Sequence, residues 1–195
     1  MATLDILKKA RLEKLDGIRL LGVDPYPARV ERVERIIEAR SKTDKKVVIT
    51  GRIIGTRKQG KISFTDLFDG SGKIQVVLKS DLLDKLSQEL LAFLDIGDFI
   101  SVSGKVGKTS SGEISVFAEN FQIISKSIRP LPDKWYGLKD IEDRYRKRYL
   151  DLLLNPDVRN KLETRSKVVK FIRNFLDDKG FYFNNCLVRW AAHTN

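Results

Sequence analysis

The sequence predicts an all-β core with flanking helices, that is, a protein of the α+β class. Between positions 46 and 125 the apolar residues recur mainly with a period of two, which is typical of β-strands. Before and after this span they recur about once per helical turn. The chain has 195 residues, of which 42% are hydrophobic and 32% charged, and this is the composition of a globular rather than a disordered protein.

An N-terminal helical extension is predicted over residues 1–42. Residues 3–21 form an amphipathic helix in this prediction, because their leucines and isoleucines return roughly every turn. Thr3 is a suitable cap, and Pro25 follows the end of the helix. A second helix is predicted over Val30–Ala39, with its valines and isoleucines on one side.

The next segment predicts a strand, two hairpins and one helix. The first strand is interrupted by Gly51, where we expect a bend or a bulge. A hairpin follows, and its turn is the Asp-Gly-Ser-Gly run at 69–72, a strong turn signal. Ser80 or Asp81 then caps a helix, and a second hairpin turns near 110–112.

The order of these elements is three strands, one helix and two strands. This order is the layout of the OB-fold, a five-stranded Greek-key barrel with a helix between its third and fourth strands, and we assign it to residues 43–128. A small ferredoxin-like domain would need a crossover helix after the first strand, and the sequence shows none there. The prediction is therefore an OB-fold barrel.

Residues 129–155 predict a linker and connector, and residues 156–183 predict a further helix. In the connector, acidic residues precede basic residues by four positions, which is the favourable order for ion pairs on a helix. The pairs are Asp140–Arg144, Glu142–Arg146 and Asp143–Lys147. Because these charges compensate one another, a structural connector is favoured over a nucleic-acid-binding patch. Tyr145 and Tyr149 continue as an apolar stripe at helical spacing.

The long C-terminal helix has clear boundary signals. Asn155 suits its N-cap, Pro156 its first position and Gly180 its end. Its apolar residues require a partner surface. Residues 184–195 form a tail without the preceding pattern.

The charge of the chain points to a polyanionic partner. The net charge is +11, and the basic residues are concentrated between positions 42 and 61, whereas acidic residues dominate between 81 and 98. OB barrels bind single-stranded nucleic acid or sugars on the face of strands two and three, framed by the loops after strands one and four. The predicted fold and the charge distribution thus indicate the same surface.

Three side chains on that surface are candidates for reading bases. Phe64 offers a ring for base stacking, Gln75 faces out because its neighbours alternate inward, and Glu113 lies at the mouth of the second hairpin. A carboxylate there can accept a hydrogen bond from a base edge. Candidates for phosphate contacts are Arg57, Lys58 and Lys61. The competing interpretation places Phe64 in the barrel core and leaves the polar residues merely solvated. From residues alone, the function is single-stranded RNA or DNA binding.

The sequence argues against several other functions. It contains no glycine-rich phosphate loop, and Cys186 and His193 are its only cysteine and histidine, so we predict no catalytic residue, no metal site and no cofactor in this chain. It also contains no apolar run of the roughly 18–20 residues that a membrane span needs. A cytoplasmic protein is expected.

Several runs of this sequence resemble the N-terminal part of bacterial class II lysyl-tRNA synthetases. They include "GRIIGTRKQGKISFTDL", "GKIQVVL", "TSSGEISV" and "RPLPDKWYGLKDIEDRYRKRYLDLLLNP". The resemblance implies an OB-fold that binds the uridine-rich anticodon of lysine tRNA. It implies stacking by Phe64, base-edge reading by Gln75 and Glu113, and an Arg57 contact in the first loop. It further implies ATP and Mg²⁺ for the full-length parent enzyme, and a homodimer contact through the 156–179 helix.

The resemblance ends with that helix. In the family the helix of class II motif 1 continues into a strand with acidic residues and a proline, and neither occurs here after Asp178. We therefore expect a fragment whose tail after Phe183 comes from a frameshift or a gene break, and which lacks the ATP- and lysine-binding motifs. Such a chain would be an inactive anticodon-binding portion. The alternatives are a ligase completed by a separate catalytic half, and a dimerising interaction fragment.

Overall fold

The computed structural model describes residues 4–30, 34–132 and 140–181. The chain divides into an N-terminal unit, Met1–Leu131, and a C-terminal unit, Pro132–Asn195. In chain order the helices and strands are α1 (Leu4–Leu20), α2 (Ile36–Ala39), β1 (Lys46–Gln59), β2 (Ile62–Phe68), β3 (Lys73–Lys79), α3 (Lys85–Leu90), β4 (Phe99–Lys108), β5 (Ile114–Ser125), α4 (Ile141–Arg146), α5 (Arg148–Leu154) and α6 (Pro156–Asp178). Within the described residues, no helix has the length and apolarity that crossing a bilayer requires.

The five strands close into a barrel in the order β1-β2-β3-β5-β4, which confirms the predicted OB-fold. All neighbouring pairs are antiparallel except β3 and β5, which are parallel. The long strand β1 pairs with β4 through its first half and with β2 through its second half, and Arg52 lies at the changeover. One strand therefore contributes to both sides of the barrel.

The irregularity expected at Gly51 lies elsewhere. The register of β1 against β2 shifts between Ile53 and Gly55, so the prediction of its position was wrong. Gly51 has a different structural reason, because a Cβ there would lie 3.2 Å from the carbonyl oxygen of Phe68. The absence of a side chain permits this close approach of β1 and β2.

The barrel interior is filled by the alternate apolar residues of the strands. In β1, for example, Val47, Ile49 and Ile53 point inward. Burying one such side chain contributes roughly 1.5–3 kcal/mol to folding. The other fully buried residues of this core include Leu67, Ile74, Val76, Leu78, Ile100, Val102, Val106, Val116 and Ile123 from the strands, with Ile18, Ile36 and Leu90 from the helices.

The first hairpin turns where the Asp-Gly-Ser-Gly run predicted it. The Asp69 carboxylate accepts hydrogen bonds from the backbone N–H of Ser71 at 2.8 Å and of Gly72 at 3.2 Å. Gly70 has a φ of 89°, in the left-handed region that favours glycine. The same carboxylate accepts from the Ile36 N–H at 3.0 Å and thereby holds the start of α2.

Two predicted helix starts were wrong. The helix predicted from Val30 begins only at Ile36, because Glu34 pairs in parallel with Ile49 and donates its N–H to Val48 at 3.2 Å. A residue in that pairing cannot also be helical. Residues 31–33 lie outside the described residues, as does the predicted cap Thr3.

Helix α3 starts later than Ser80 or Asp81. Its cap is Asp84, whose carboxylate accepts from the Ser87 N–H at 2.7 Å. Before it, the chain makes one turn from Lys79 that buries Leu83. That apolar contact with the core sets where the helix can begin.

In the C-terminal unit, two of the three predicted ion pairs form. Arg146 lies 2.7 Å from Glu142, and Lys147 lies 2.9 Å from Asp143. The third prediction was wrong, because Asp140 instead caps α4 by accepting from the Glu142 N–H at 3.0 Å. The connector forms two short helices that meet at Lys147, whose ψ of 47° departs from helical geometry.

Arg144 pairs with Asp151 instead of with Asp140. Asp151 is fully buried and accepts from Arg144 at 2.9 Å, from Arg148 at 2.8 Å and from the side-chain amide of Asn155 at 2.6 Å. Asn155 occupies the N-cap position of α6 as predicted, but its side chain donates to Asp151 and makes no capping hydrogen bond to the helix.

The two tyrosines of the connector are exposed. Tyr145 and Tyr149 are 69% and 68% exposed, so nothing in the described residues covers this part of the expected apolar stripe. Pro156 opens α6 as predicted, and Gly180, with a φ of 81°, follows its end.

Candidate nucleic-acid interface

The N-terminal unit has a cavity of about 450 Å³ on the outer face of β2, β3 and β5. The end of β1 and the β4–β5 turn form its rim. Its lining includes Arg57, Phe64, Gln75, Glu113, Phe117 and Lys108. This is the face that the OB-fold pattern indicated.

A row of paired residues crosses the floor of the cavity. Arg57 pairs with Phe64, Phe64 with Val77, and Val77 with Phe117. Directly paired residues of neighbouring strands point to the same face. Because Ser63 and Thr65 point into the barrel, the ring of Phe64 lies on the outer face and is half-buried there. It is not part of the core, so the competing interpretation of Phe64 does not hold.

A second row is polar and begins at Gln75. Gln75 pairs in parallel with Ser115, and the Ser115 hydroxyl donates to its side-chain carbonyl at 2.9 Å. The amide nitrogen of Gln75 then donates to the Glu113 carboxylate at 3.0 Å. Gln75 lies on the cavity side of β3, as predicted, but only 4% of it is exposed because its neighbours cover it.

The β4–β5 turn holds Glu113 in place. The Thr109 hydroxyl accepts from the Glu113 N–H at 3.2 Å, and the Thr109 N–H donates to the Glu113 carbonyl at 3.0 Å. Gly112, with a φ of 82°, allows the tight return of the chain. The carboxylate is thus presented by a fixed turn, while its side chain remains exposed.

The six predicted site residues divide into two groups. Arg57, Phe64, Gln75 and Glu113 line this cavity together. Lys58 and Lys61 line a different cavity of about 270 Å³ near α3. Lys58 follows Arg57 in a strand and so points to the opposite face, and the Lys61 ammonium lies 3.5 Å from the Asp81 carboxylate.

Four functional candidates escaped the prediction. Lys79 and Lys108 line the cavity and add positive charge, Phe117 adds a second ring, and Ser115 orients Gln75. Strand alternation could have indicated Lys79, which is two residues after Val77. Lys108 lies at the end of β4 and pairs with Ile114 across the second hairpin. Phe117 and Ser115 depend on the parallel pairing of β3 with β5, which joins residues about forty positions apart.

This arrangement suits an unpaired base and its phosphates. It combines an accessible ring, an amide donor next to a carboxylate acceptor, and three cations at the rim. Among the described residues there is no group of three or more His, Cys, Asp or Glu side chains that could hold a metal ion.

Two family matches cover most of the described chain. Residues 47–124 match the OB-fold nucleic acid binding domain of the tRNA anticodon family. Residues 140–183 match the class II tRNA synthetases of the D, K and N type. The first match covers all five barrel strands apart from one residue at each end, and the second covers α4 to α6.

Curated bacterial proteins are similar to nearly the whole chain. The lysine–tRNA ligase of Pelotomaculum thermopropionicum is 47% identical over 185 residues, which are 91% of this chain and 36% of that protein. The enzyme of the same name from Carboxydothermus hydrogenoformans is 48% identical over 182 residues, 91% of this chain and 37% of the relative. That from Syntrophomonas wolfei is 45% identical over 179 residues, with coverages of 90% and 36%. The chain thus spans little more than a third of the length of these relatives.

Proposed function

We propose, from the premise that this chain belongs to the class II lysyl-tRNA synthetase family, that its barrel binds the uridine-rich anticodon of lysine tRNA. The observation that carries the proposal is the hydrogen bond from Gln75 to Glu113 at 3.0 Å, beside the half-buried ring of Phe64 in one cavity. Groups that stack on a base and groups that read its edge are thereby adjacent.

Uracil is the base that complements this pair. Its edge presents one N–H donor between two carbonyl acceptors, so it needs an acceptor next to donors. The Glu113 carboxylate supplies the acceptor, and the Gln75 amide nitrogen, which carries two N–H groups, supplies a donor. Arg57 adds a cation at the end of the same row. Cytosine presents an acceptor where uracil presents its central N–H, so it faces the carboxylate unfavourably.

The test is the binding of a lysine anticodon stem-loop to the full chain at fixed salt. Phe64→Ala should weaken all pyrimidine loops by about 1–3 kcal/mol, because the stacking surface is lost. Glu113→Ala should reduce the preference for uridine over cytidine while retaining most of the stacking energy. Equal binding of uridine and cytidine loops by the unaltered chain would refute the proposed readout.

Two adjacent cations provide a matched comparison for phosphate contacts. Arg57 lines the cavity with Phe64, whereas Lys58 lies on the opposite face of the same strand. Arg57→Ala should reduce the slope of log affinity against log salt by about one, and Lys58→Ala should leave the slope nearly unchanged. If both reduce it equally, the RNA also follows the second cavity, as the sequence-based choice of Lys58 and Lys61 assumed.

We propose that the parent reaction is the ATP-dependent attachment of lysine to its tRNA in the cytoplasm, and that this polypeptide does not perform it alone. ATP, lysine and Mg²⁺ then bind to parts of the parent enzyme beyond the third that this chain spans. ATP–pyrophosphate exchange with lysine should be absent for this polypeptide and should return only when a separate catalytic half is added. Exchange by the chain on its own contradicts the proposal.

A second proposal concerns self-association through α6. Its apolar side chains are exposed, with Phe171 at 71% and Val168 and Phe175 each at 52%. We propose that a second copy of the chain covers this face, since burial of aromatic surface drives association. In sedimentation velocity, Phe171→Glu should shift the chain toward monomer, and Asn174→Glu, which adds the same charge on the same helix, should not. A monomer at high concentration without any substitution refutes this.

A further inference from the structure

The cavity contains a second aromatic ring, Phe117, to which neither the sequence nor the family matches assign a role. Phe117 lies on β5 and pairs with Val77, which pairs on its other side with Phe64. The two rings therefore lie on one face of the sheet with a single strand between them. Both are half-buried and both line the cavity.

The position of the Phe117 ring is fixed by a glycine on the neighbouring strand. A Cβ at Gly107 of β4 would lie 3.0 Å from Cε2 and 3.3 Å from Cδ2 of Phe117. The ring therefore lies against the backbone of Gly107, which supports one side of it. Its remaining exposed surface faces the cavity, where Lys79 and Lys108 provide positive charge.

The spacing of the two rings decides how many bases they can contact. Two strand spacings separate Phe64 from Phe117, about 10 Å between their backbones. This distance is larger than the width of a single pyrimidine ring, and the two residues lie on the same face of one sheet. One base therefore cannot stack on both, and consecutive unstacked bases of a single strand can each occupy one ring.

We propose that Phe117 is a second base-stacking surface, so that the interface takes at least two consecutive unpaired nucleotides. This inference rests on the proposed anticodon-binding function. The nucleotide on Phe64 has its edge near Gln75 and Glu113 and is selected for its identity. The nucleotide on Phe117 lies over an apolar floor formed by Val77 and Gly107 and contributes affinity rather than selection.

The experiment uses dihydrouridine as its probe. This base keeps the N–H and both carbonyl groups of uracil, but its ring is not planar and cannot stack. Each loop uridine of a lysine anticodon stem-loop is replaced in turn, and binding to the full chain is measured by fluorescence anisotropy at fixed salt. Two adjacent positions should each lose about 5- to 150-fold in affinity, the range expected for one stacked base.

The variants then assign each position to a ring. With Phe64→Ala, dihydrouridine in place of the nucleotide that stacks on Phe64 should have no further effect. Dihydrouridine in place of the nucleotide that stacks on Phe117 should still weaken binding. With Phe117→Leu, which retains apolar volume but not the ring, the reverse is expected. Phe99→Leu is the matched control, since Phe99 is a half-buried ring on β4 that lies under Arg52 at 4.3 Å and not in the cavity.

The possible results separate this inference from the function on which it rests. If Phe64→Ala weakens binding and Phe117→Leu equals the control, the second stacking surface is refuted while anticodon binding stands. If Phe64→Ala has no effect either, the proposed function itself fails. Should Phe117→Leu unfold, Phe117→Tyr keeps the ring and should bind like the unaltered chain, and loss of binding by a folded Phe117→Tyr overturns the proposal.

Discussion

Among the described residues of the N-terminal unit, two buried polar clusters can be compared by whether all their polar groups are paired within the protein. In the first, the fully buried Lys126 ammonium donates to Asp98 at 2.7 Å, to Asp95 at 2.5 Å and to the Phe93 carbonyl at 2.7 Å. All three N–H groups of the ammonium have acceptors. Lys14 adds a further pair to Asp95 at 2.6 Å and ties α1 to the barrel. We call this set the Lys126 cluster.

The second cluster is open at one end. Ser115 and Gln75 are buried and hydrogen-bonded to each other, but their chain of hydrogen bonds ends at Glu113, whose side chain is exposed at the cavity. We call this set the Gln75 cluster. A closed cluster has used its hydrogen-bonding capacity for the fold. An open cluster retains capacity for a ligand, and this difference separates a structural set of charges from a recognition site.

The largest expected effect comes from breaking the closed cluster. Lys126→Met leaves the buried Asp98 carboxylate without its cation, whereas Asp95 keeps Lys14, and the loss of one partner of such a buried pair costs about 3–5 kcal/mol. Burial already raises the pKa of Asp98, so this carboxyl would become neutral more readily in the variant. Urea unfolding should show the loss of stability, and RNA binding by the molecules that remain folded should be unchanged.

An exposed pair supplies the control. Lys105 lies 3.3 Å from Asp44 with both side chains more than half exposed, and Lys105→Met should change stability by less than about 1 kcal/mol. If Lys126→Met were no more destabilising than Lys105→Met, the Lys126 cluster would not hold the fold together.

The next largest effect is expected from a substitution in the Gln75 cluster. Ser115→Ala removes the donor to the Gln75 carbonyl and leaves a buried acceptor unpaired, at a cost of about 1–3 kcal/mol. It also frees the amide to rotate, so the nitrogen no longer faces Glu113 consistently. The preference for uridine over cytidine loops should fall, whereas Ser115→Thr, which keeps the hydroxyl, should restore it. A variant with lower stability but unchanged preference would make Ser115 purely structural.

The contrast between the clusters also explains what the sequence could predict. Strand alternation and the Asp-Gly-Ser-Gly turn are local signals, and they predicted the barrel correctly, whereas they left Phe64 open between the outer face and the core. The positions of the Gln75 cluster and of the Phe117 ring depend on the parallel pairing of β3 and β5, which no local sequence pattern indicates. Helix α2 was misplaced for the same reason, since the pairing of Glu34 with Ile49 is a tertiary contact that overrides helix propensity.

A smaller effect on stability is expected from Asp69, whose carboxylate accepts hydrogen bonds from the turn and from the start of α2. Burial of Asp69 acts to raise the pKa of its carboxyl group. Hydrogen bonds from the Ser71 hydroxyl and from the backbone N–H groups of Ile36, Ser71 and Gly72 lower the pKa by more, so that it lies below its ordinary value. A lowered pKa means that the folded state binds this proton less readily than the unfolded state. The stability it contributes is therefore complete above the ordinary aspartate pKa and is lost as pH falls below about 4.

Asp69→Asn should remove this part of the pH dependence. The variant should be less stable at neutral pH and should lose less stability than the unaltered chain between about pH 4 and pH 2, measured by urea unfolding at each pH. A parallel fall of the two stability curves would show that the hydrogen bonds of the turn do not favour the ionised carboxylate.

The smallest effect is expected from a substitution that displaces the Phe117 ring in the cavity without removing it. In Gly107→Ala the new Cβ would meet the Phe117 ring at 3.0 Å, so the ring must move by a few tenths of an ångström while the fold is kept. Gly72→Ala is the matched control, since the nearest atom to its Cβ would be 3.9 Å away. Stability should be similar in both, because neither glycine has a positive φ. Affinity for the stem-loop should fall in Gly107→Ala alone, and by less than in Phe117→Leu, because a displaced ring still stacks in part. If Gly107→Ala binds as the control does while Phe117→Leu does not, the aromatic ring itself is required but its contact with the Gly107 backbone does not set the affinity.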